Sequence, residues 1–163
     1  MDPDANPQDG GGCPVCDRSP TVLVGIRHRV MRDWTIDLLE TEHGCWTVAA
    51  PRRGELLVDA IARTRPELVV VDDADFPACC RAALDALPPE RVIVVGPEPD
   101  AAYRHHALSN GAGGWVCRDD VGDELSTAMR LALGCRHAPC PPADRHTPSG
   151  APVDRDAQGG TLR

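Results

Sequence analysis

The stretch that decides the fold is residues 66–72, which read Pro66-Glu67-Leu68-Val69-Val70-Val71-Asp72. Four consecutive apolar residues, three of them β-branched, are typical of a strand that is buried on both faces. Similar short apolar runs occur at residues 22–24, 46–49, 92–95 and 114–117. The sequence therefore predicts five short strands.

Amphipathic segments separate these apolar runs. Their apolar residues recur with helical spacing, in five stripes: Val30, Met31, Trp34, Leu38 and Leu39; Leu56, Leu57, Ala60 and Ile61; Cys80, Ala83, Leu84 and Leu87; Tyr103 and Ala107; and Val121, Leu125, Ala128, Met129 and Ala132. The weaker fourth stripe is followed by Asn110-Gly111, which predicts the end of that helix. Five successive strand–helix units predict an α/β fold with a parallel sheet covered by helices on both faces.

Length and charge exclude several classes of protein. A chain of 163 residues is enough for one domain of ordinary size, and no apolar run approaches the roughly 20 residues of a membrane-spanning helix. The N-terminus lacks the pattern of a signal peptide, which predicts a cytoplasmic protein. A net charge of −8 argues against direct nucleic-acid binding. Because no nucleophile–base pair, catalytic carboxylate pair or dinucleotide fingerprint is present, we expect no enzyme.

Composition divides the chain into three segments. Residues 1–20 contain two cysteines and a glycine run without hydrophobic periodicity, and residues 135–163 are rich in Pro, Gly and Arg. Both segments are expected to be mostly disordered, and residues 21–134 are expected to form the folded domain.

The predicted domain resembles the receiver domain of bacterial response regulators. Residues 66–72 resemble the family's third strand, which ends on the phosphoacceptor aspartate, here Asp72. Residues 111–119 resemble its fifth strand and lysine segment, and residues 22–39 resemble the first strand and helix of the subgroup that usually carries a C-terminal helix-turn-helix. The residues after Gly134 show no helical period, so we expect no helix-turn-helix there. The resemblance implies a flavodoxin-like, doubly wound, five-stranded sheet in the order 2-1-3-4-5.

The resemblance also implies a set of site positions, and most of them are changed here. The family holds Mg²⁺ with two acids after the first strand, and binds the phosphoryl group with a Thr or Ser after the fourth strand and a Lys after the fifth. These positions read Ile26 and Arg27, Gly96, and Arg118; the phosphoacceptor position Asp72 is kept. We therefore expect no Mg²⁺ and no phosphorylation. A phosphorelay through Asp72 remains the alternative.

Two arginines are expected to take over part of the lost site. In the family's geometry the Arg27 guanidinium reaches Asp72, with Arg118 approaching from the other side, so that two fixed cations replace the metal. The alternative is that Arg27 points to solvent. Two further acids, Asp73 and Asp75, follow in the sequence; strand alternation points Asp73 away from Asp72 and leaves Asp75 in the next loop.

Trp115 stands where the family has its switch aromatic residue. In the family that ring moves when the hydroxyl residue after the fourth strand moves toward the phosphate. Because Gly96 has no hydroxyl group, this coupling is lost. We expect Trp115 to be an ordinary core residue.

The cysteines suggest a second kind of site. Cys13 and Cys16 have the spacing of a zinc knuckle, and Cys135, His137 and Cys140 offer three more ligands. In the implied topology both motifs emerge at the end of the sheet opposite Asp72, which predicts a zinc ion that clips the termini together. A thiol–disulfide switch and uninvolved thiols are the alternatives. The remaining cysteines are expected to be small packing residues: Cys45, Cys79, Cys80 and Cys117.

The function implied by the resemblance is that of a stand-alone, phosphorylation-independent receiver-like module in signal transduction and transcription regulation. Such a module contacts a protein partner, or a second copy of itself, through the face formed by the fourth helix, fifth strand and fifth helix. One alternative is a regulator that has lost its DNA-binding half and acts through a partner. The other is a zinc- or redox-responsive sensor built on a receiver scaffold.

Overall fold

The computed structural model describes Val15 and residues 18–42, 46–78, 81 and 87–135. The strands in this part are β1 (Thr21–Val24), β2 (Thr47–Ala49), β3 (Leu68–Asp72), β4 (Val92–Gly96) and β5 (Gly114–Cys117). The α-helices are α1 (Arg29–Thr41), α2 (Leu57–Thr64), α3 (Ala101–Ser109) and α4 (Val121–Ala132). Helices α3 and α4 correspond to the fourth and fifth predicted helices. Of the third predicted stripe, only Leu87 lies among the described residues.

The five strands form one parallel sheet in the order β2-β1-β3-β4-β5, so the predicted topology is confirmed. After β1 the chain builds the edge strand β2, then returns past β1 to start β3. The direction of winding therefore reverses between β1 and β3. In open α/β sheets, ligands bind beyond the carboxyl ends of the strands near such a reversal.

Two core layers cover the two faces of the sheet. One layer joins strand residues such as Val24 and Val70 to Leu39 of α1 and Leu125 of α4. The other joins residues such as Val69 to α2 and α3. Because successive strand side chains point to opposite faces, only a continuous apolar run can supply both layers. This accounts for the Leu-Val-Val-Val run of β3.

Two of the predicted helical stripes are partly wrong. On α1, Val30 is 72% exposed and Trp34 is 45% exposed, whereas Thr35 is fully buried. The Thr35 hydroxyl donates a hydrogen bond to the Met31 carbonyl (2.8 Å), so burial leaves no polar group unpaired. Leu56 is 66% exposed because it precedes the first turn of α2 as its N-cap. The stripe of α4 is confirmed, since its large members are buried: Val121, Leu125 and Met129.

The domain's limits differ slightly from the predicted ones. Helix α3 ends at Ser109, and Gly111 follows with a φ of +91°, as the Asn110-Gly111 signal predicts. Val15 and Cys135 are buried members of the core layer under α1 and α4, so the packed core extends beyond residues 21–134 at both ends. The other residues of the two predicted disordered segments are outside the described part or lie in residues 18–20. None of the described helices combines the length and apolarity needed to cross a membrane.

Candidate functional site

The parallel register brings the predicted site positions to one edge of the sheet. Asp72 and Gly96 are the last residues of β3 and β4, and Gly96 lies beside Cys117, the last residue of β5. The chain after β1 runs alongside β3, where the Gly25 N–H donates to the Val70 carbonyl (2.8 Å). Four strand ends therefore place the residues that follow them on the same edge.

Asp72 is the acid nearest the centre of this edge, and it is only 9% exposed. Its Oδ2 accepts a hydrogen bond from the backbone N–H of Arg27 at 2.6 Å. This bond ties the β1–α1 loop to the end of β3. Since the donor is an amide, any residue except proline at position 27 can supply this contact.

The Arg27 side chain does not pair with Asp72, contrary to the prediction. Its guanidinium makes a two-point ion pair with the Asp75 carboxylate, through Nε (2.9 Å) and Nη2. The reason is the 3-10 turn Asp73–Asp75, which starts directly after β3 and presents Asp75 to the β1–α1 loop. The hydrogen bond to Asp75, then that carboxylate's charge, raise the pKa of Arg27.

The Arg118 side chain also does not form the predicted contact with Asp72. Arg118 begins the 3-10 turn Arg118–Asp120 after β5, is exposed, and lines a shallow pocket with His28, Val30, Met31 and Trp34 of the α1 side. Among the described residues no carboxylate lies within ion-pair distance of it. The predicted pair of cations around Asp72 is therefore wrong for both arginines. A 3-10 turn follows β3 and another follows β5, and these turns determine which residues the two arginine side chains contact. The apolar pattern of a strand does not predict such turns.

The residues at the edge do not fit Mg²⁺. Ile26, at the position of one family acid, is 1% exposed and belongs to the core. Asp73 lines a separate cavity with Phe76 and Tyr103 on the α3 side, as strand alternation predicts. Mg²⁺ prefers several oxygen ligands in octahedral geometry. Within the described residues no three His, Cys, Asp or Glu side chains converge on one point.

Gly96 and Trp115 are coupled in a way that the sequence analysis missed. A Cβ atom added to Gly96 would lie 2.5–2.7 Å from three indole atoms of Trp115. The indole therefore occupies the space of the side chain that the family carries at this position. Trp115 pairs with Val94, two residues before Gly96 and on the same face, so its ring reaches diagonally toward the carboxyl edge. The feature of the sequence that could have predicted this contact is a glycine at the end of one strand, diagonally opposite a tryptophan of the neighbouring strand.

Trp115 is half-buried and packs against the core layer of α2 and α3. Trp115 therefore contacts this core layer without being fully buried in it. Its Nε1–H is nevertheless buried without a hydrogen-bond acceptor among the described residues. An unpaired buried donor costs about 1–3 kcal/mol, so the packing of the indole over Gly96 must offset that cost.

The predicted zinc ligands lie mostly outside the described residues, namely Cys13, Cys16, His137 and Cys140. Cys135 is described and is 3% exposed. It shares a core layer with Val15, which lies between Cys13 and Cys16 in the sequence. The zinc site stays a prediction.

The same edge also holds arginines that the sequence analysis did not single out. Arg29 and Arg32 of α1 and Arg52 and Arg53 after β2 line an open cleft beside Gly25. The adjacent Arg52-Arg53 pair just after a strand was the only signal in the sequence.

No known family model matches the chain, and no curated protein matches it. Several solved structures are similar to this chain. The signal receiver domain of the response regulator NarL from Mycobacterium tuberculosis is 20% identical, with a TM-score of 0.54 over 72% of this chain and 96% of that one. A response regulator from Chloroflexus aurantiacus is 14% identical, with a TM-score of 0.61 over 72% and 99%. The response regulator domain of Thermotoga maritima CheB is 23% identical, with a TM-score of 0.59 over 72% and 98%. The described part of this chain has the receiver-domain fold of response regulators.

Proposed function

We propose that this chain is a receiver-like signalling module that acts through protein–protein contacts and does not use phosphoryl transfer. The observation that carries this is the Trp115 indole, which fills the space above Gly96 where the family's hydroxyl side chain would bind a phosphoryl group. Catalytic turnover and direct DNA binding form no part of this function. A role in transcription would therefore require a partner.

The surroundings of Asp72 support the same proposal. Phosphoryl transfer depends on cations that neutralise the charge of the transferred group. The metal positions hold a buried Ile26 and an Arg27 whose guanidinium is paired with Asp75. One oxygen of Asp72 already accepts the Arg27 amide. At the described family positions around Asp72, residues 26 and 27 therefore supply no carboxylate for a metal, and residue 96 supplies no hydroxyl group.

Mass spectrometry of the intact chain tests this directly. After incubation with acetyl phosphate and Mg²⁺, we expect an unchanged mass. An adduct of about 80 Da, the mass of one phosphoryl group, that is absent in Asp72→Asn would contradict the proposal. A receiver domain that is known to accept phosphate serves as the positive control for the reagent.

The face formed by α3, β5 and α4 supports protein–protein contact. It contains a groove of about 380 Å³, and the exposed apolar side chains Leu108 (42%) and Leu131 (54%) line it. Arg104 lies on the α3 side, whereas Asp123 and Glu124 lie on α4. In a two-fold dimer whose axis passes between α3 and α4, Arg104 of one chain would face Asp123 and Glu124 of the other. Charge complementarity favours a homodimer.

Sedimentation equilibrium of the full chain tests the dimer. Leu131→Arg places a charge in the apolar groove and is expected to weaken self-association at least tenfold. Val30→Arg is the matched control, because Val30 is also strongly exposed but lies on α1. Arg104→Glu should weaken the dimer too, and mixing it with Asp123→Arg should restore association. A chain that stays monomeric at high micromolar concentration would overturn the homodimer.

A second candidate function is zinc- or thiol-dependent sensing by the termini. It is favoured by the burial of Val15 and Cys135 in one core layer, since Val15 lies between Cys13 and Cys16 in the sequence and Cys135 is itself a predicted ligand. The purified chain would then contain about one equivalent of zinc, lost in Cys13→Ser/Cys16→Ser but not in Cys79→Ser. The redox form instead predicts no metal and a reversible disulfide after mild oxidation. Metal-free chain with eight alkylated thiols before and after oxidation would contradict both.

A further inference from the structure

An open cleft of about 890 Å³ lies at the β1–β2 half of the carboxyl edge, between the start of α1 and the segment that leads into α2. We call it the arginine cleft, because five arginines and three carboxylates line it: Arg27, Arg29, Arg32, Arg52 and Arg53, with Asp33, Glu55 and Asp75. The lining therefore has an excess of two positive charges. This excess is local, since the whole chain has a net charge of −8.

The wall after β2 is a braced turn that presents two arginines. The Glu55 N–H donates to the Arg52 carbonyl (3.0 Å), and the Arg52 N–H donates to the Glu55 carboxylate (2.7 Å). Arg63 of α2 binds the same carboxylate through Nε (2.7 Å) and Nη2 (2.8 Å). Glu55 is thus engaged from two sides. The guanidinium groups of Arg52 and Arg53 have no ion-pair partner among the described residues.

On the α1 side of the cleft, the arginines outnumber the carboxylates that pair with them. Asp33 lies 3.5 Å from Arg29 and 3.6 Å from Arg32, so one carboxylate serves two guanidinium groups at long distance. Asp75 is taken up by Arg27. Each carboxylate of the cleft therefore already has a cationic partner, and the uncompensated charge belongs to the arginines.

Two helices also begin at the cleft. Helix α1 starts at Arg29 and is capped by His28, whose Nδ1 accepts the Met31 N–H (3.3 Å), whereas α2 starts at Leu57 without a side-chain cap. Unpaired backbone N–H groups and the helix dipole both favour an anion at such an end. These helix ends reinforce the arginines, which remain the main feature.

Three apolar residues also line the cleft. Leu56 is 66% exposed, and it lines the cleft together with Leu57 and Pro51. An exposed leucine next to a group of arginines offers separate surfaces for an apolar ring and for charged groups. Sites for small molecules combine apolar walls with a few placed polar groups, in volumes of roughly 300–1,000 Å³.

We propose that the arginine cleft binds a nucleoside diphosphate, with its phosphates between the two arginine walls and its base against Leu56. A diphosphate carries roughly two to three negative charges near neutral pH, which is opposite in sign and similar in size to the excess of two positive charges. The guanidinium fork also matches phosphate oxygens in pairs. Binding is non-covalent and does not involve Asp72. The cleft is a ligand site separate from the α3–β5–α4 face and from any phosphorylation chemistry.

Isothermal titration of the full chain with ADP, GDP, pyrophosphate and adenosine tests the proposal. We expect saturable binding of one nucleoside diphosphate per chain, weaker binding of pyrophosphate, and none of adenosine. Arg52→Ala/Arg53→Ala should weaken binding at least tenfold. Arg18→Ala/Arg91→Ala is the matched control, because it removes the same charge near the opposite edge of the sheet and should leave affinity within twofold.

Four results would overturn the proposal. The first is no saturable binding of ADP or GDP up to about 1 mM, a dissociation constant that marks weak association. The second is an equal loss of affinity in the control variant, which would indicate unspecific attraction to a charged surface. The third is pyrophosphate binding as tightly as the nucleotides, which removes the role of Leu56. The fourth is tighter binding of a short polyglutamate peptide, which would assign the cleft to an acidic protein partner.

Discussion

The two halves of the carboxyl edge differ in what fills them. At the β3–β5 half, the Trp115 indole covers Gly96, and Asp72 is nearly buried beneath the Arg27 amide. At the β1–β2 half, the arginine cleft is open and lined by charged side chains. The receiver fold places loops along the whole edge, but side chains decide which part of it can take a ligand. Here the half used for phosphorylation in the family is closed, and its neighbour is open.

Arg27 joins the two halves. Its backbone N–H binds Asp72 in the closed half, and its guanidinium binds Asp75 at the border of the open one. The two contacts differ in physical character, since the first is part-buried and uses the backbone, whereas the second is exposed. Substitutions therefore separate them.

The largest expected effect is the loss of stability when a side chain is added at Gly96, in the closed half of the edge. Gly96→Ala places a Cβ within 2.5–2.7 Å of the indole, which should lower the free energy of unfolding by about 1–3 kcal/mol. The control is Gly122→Ala in the first turn of α4, where the added Cβ would make an ordinary 3.7 Å contact with Trp34 and the free energy of unfolding should change by less than about 0.5 kcal/mol. Urea unfolding of both variants measures the contrast. Equal effects would mean that the space above Gly96 is not closed.

The next effect concerns Asp72. Asp72→Ala leaves the Arg27 N–H without its acceptor in a nearly buried position, and should lower the free energy of unfolding by about 1–3 kcal/mol. Asp72→Asn keeps an acceptor oxygen and should cost less. Thermal unfolding of the two variants provides the comparison. If Asp72→Asn were as destabilised as Asp72→Ala, charge rather than the hydrogen bond would be the important feature.

A smaller effect tests which acid the Arg27 side chain contacts. A double-mutant cycle between Arg27→Ala and Asp75→Ala should show a coupling of about 0.2–1 kcal/mol that declines with added salt, as expected for an exposed pair. The matched cycle between Arg27→Ala and Asp72→Ala should be nearly additive, since Asp72 binds the amide that the alanine variant keeps. The reverse order of couplings would restore the pairing first predicted from the sequence.

The smallest expected effect is the loss of stability at low pH that comes from Glu55 in the wall of the arginine cleft. Hydrogen bonds from Arg63 and from the Arg52 backbone lower the pKa of Glu55 from 4.5 to about 2. A carboxyl group with a depressed folded-state pKa stabilises the fold above pH 4.5, and this contribution is lost as the pH falls toward about 2. NMR titration of the Glu55 carboxyl carbon measures the value. In Arg63→Ala the pKa should return toward 4.5, and no change would show that Arg63 does not brace the turn.

The part of the fold that could be predicted rests on the apolar patterns within individual strands and helices. The β-branched runs identify the five strands, and their alternation with helical stripes identifies the parallel sheet. The strand order, which the structure confirms, was implied by the resemblance to receiver domains. The stripes were less accurate at their ends. Trp34 and Leu56 continue an apolar period but are exposed, because a helical period says which residues share a face and not how far the sheet extends beneath it.

What the sequence by itself determined is the architecture and the loss of the family's site residues at Ile26, Arg27 and Gly96. The strands and helices follow from residue types along the chain, whereas the strand order and the family's site positions follow from the resemblance to receiver domains. Only the tertiary structure decided where the Arg27 guanidinium goes, what fills the space above Gly96, and which arginines meet across a cleft. Each of these depends on contacts between residues far apart in the sequence, such as Arg27 with Asp75 and Gly96 with Trp115. Side-chain direction after a strand is set by the local turn and by neighbouring strands, so no periodic pattern encodes it.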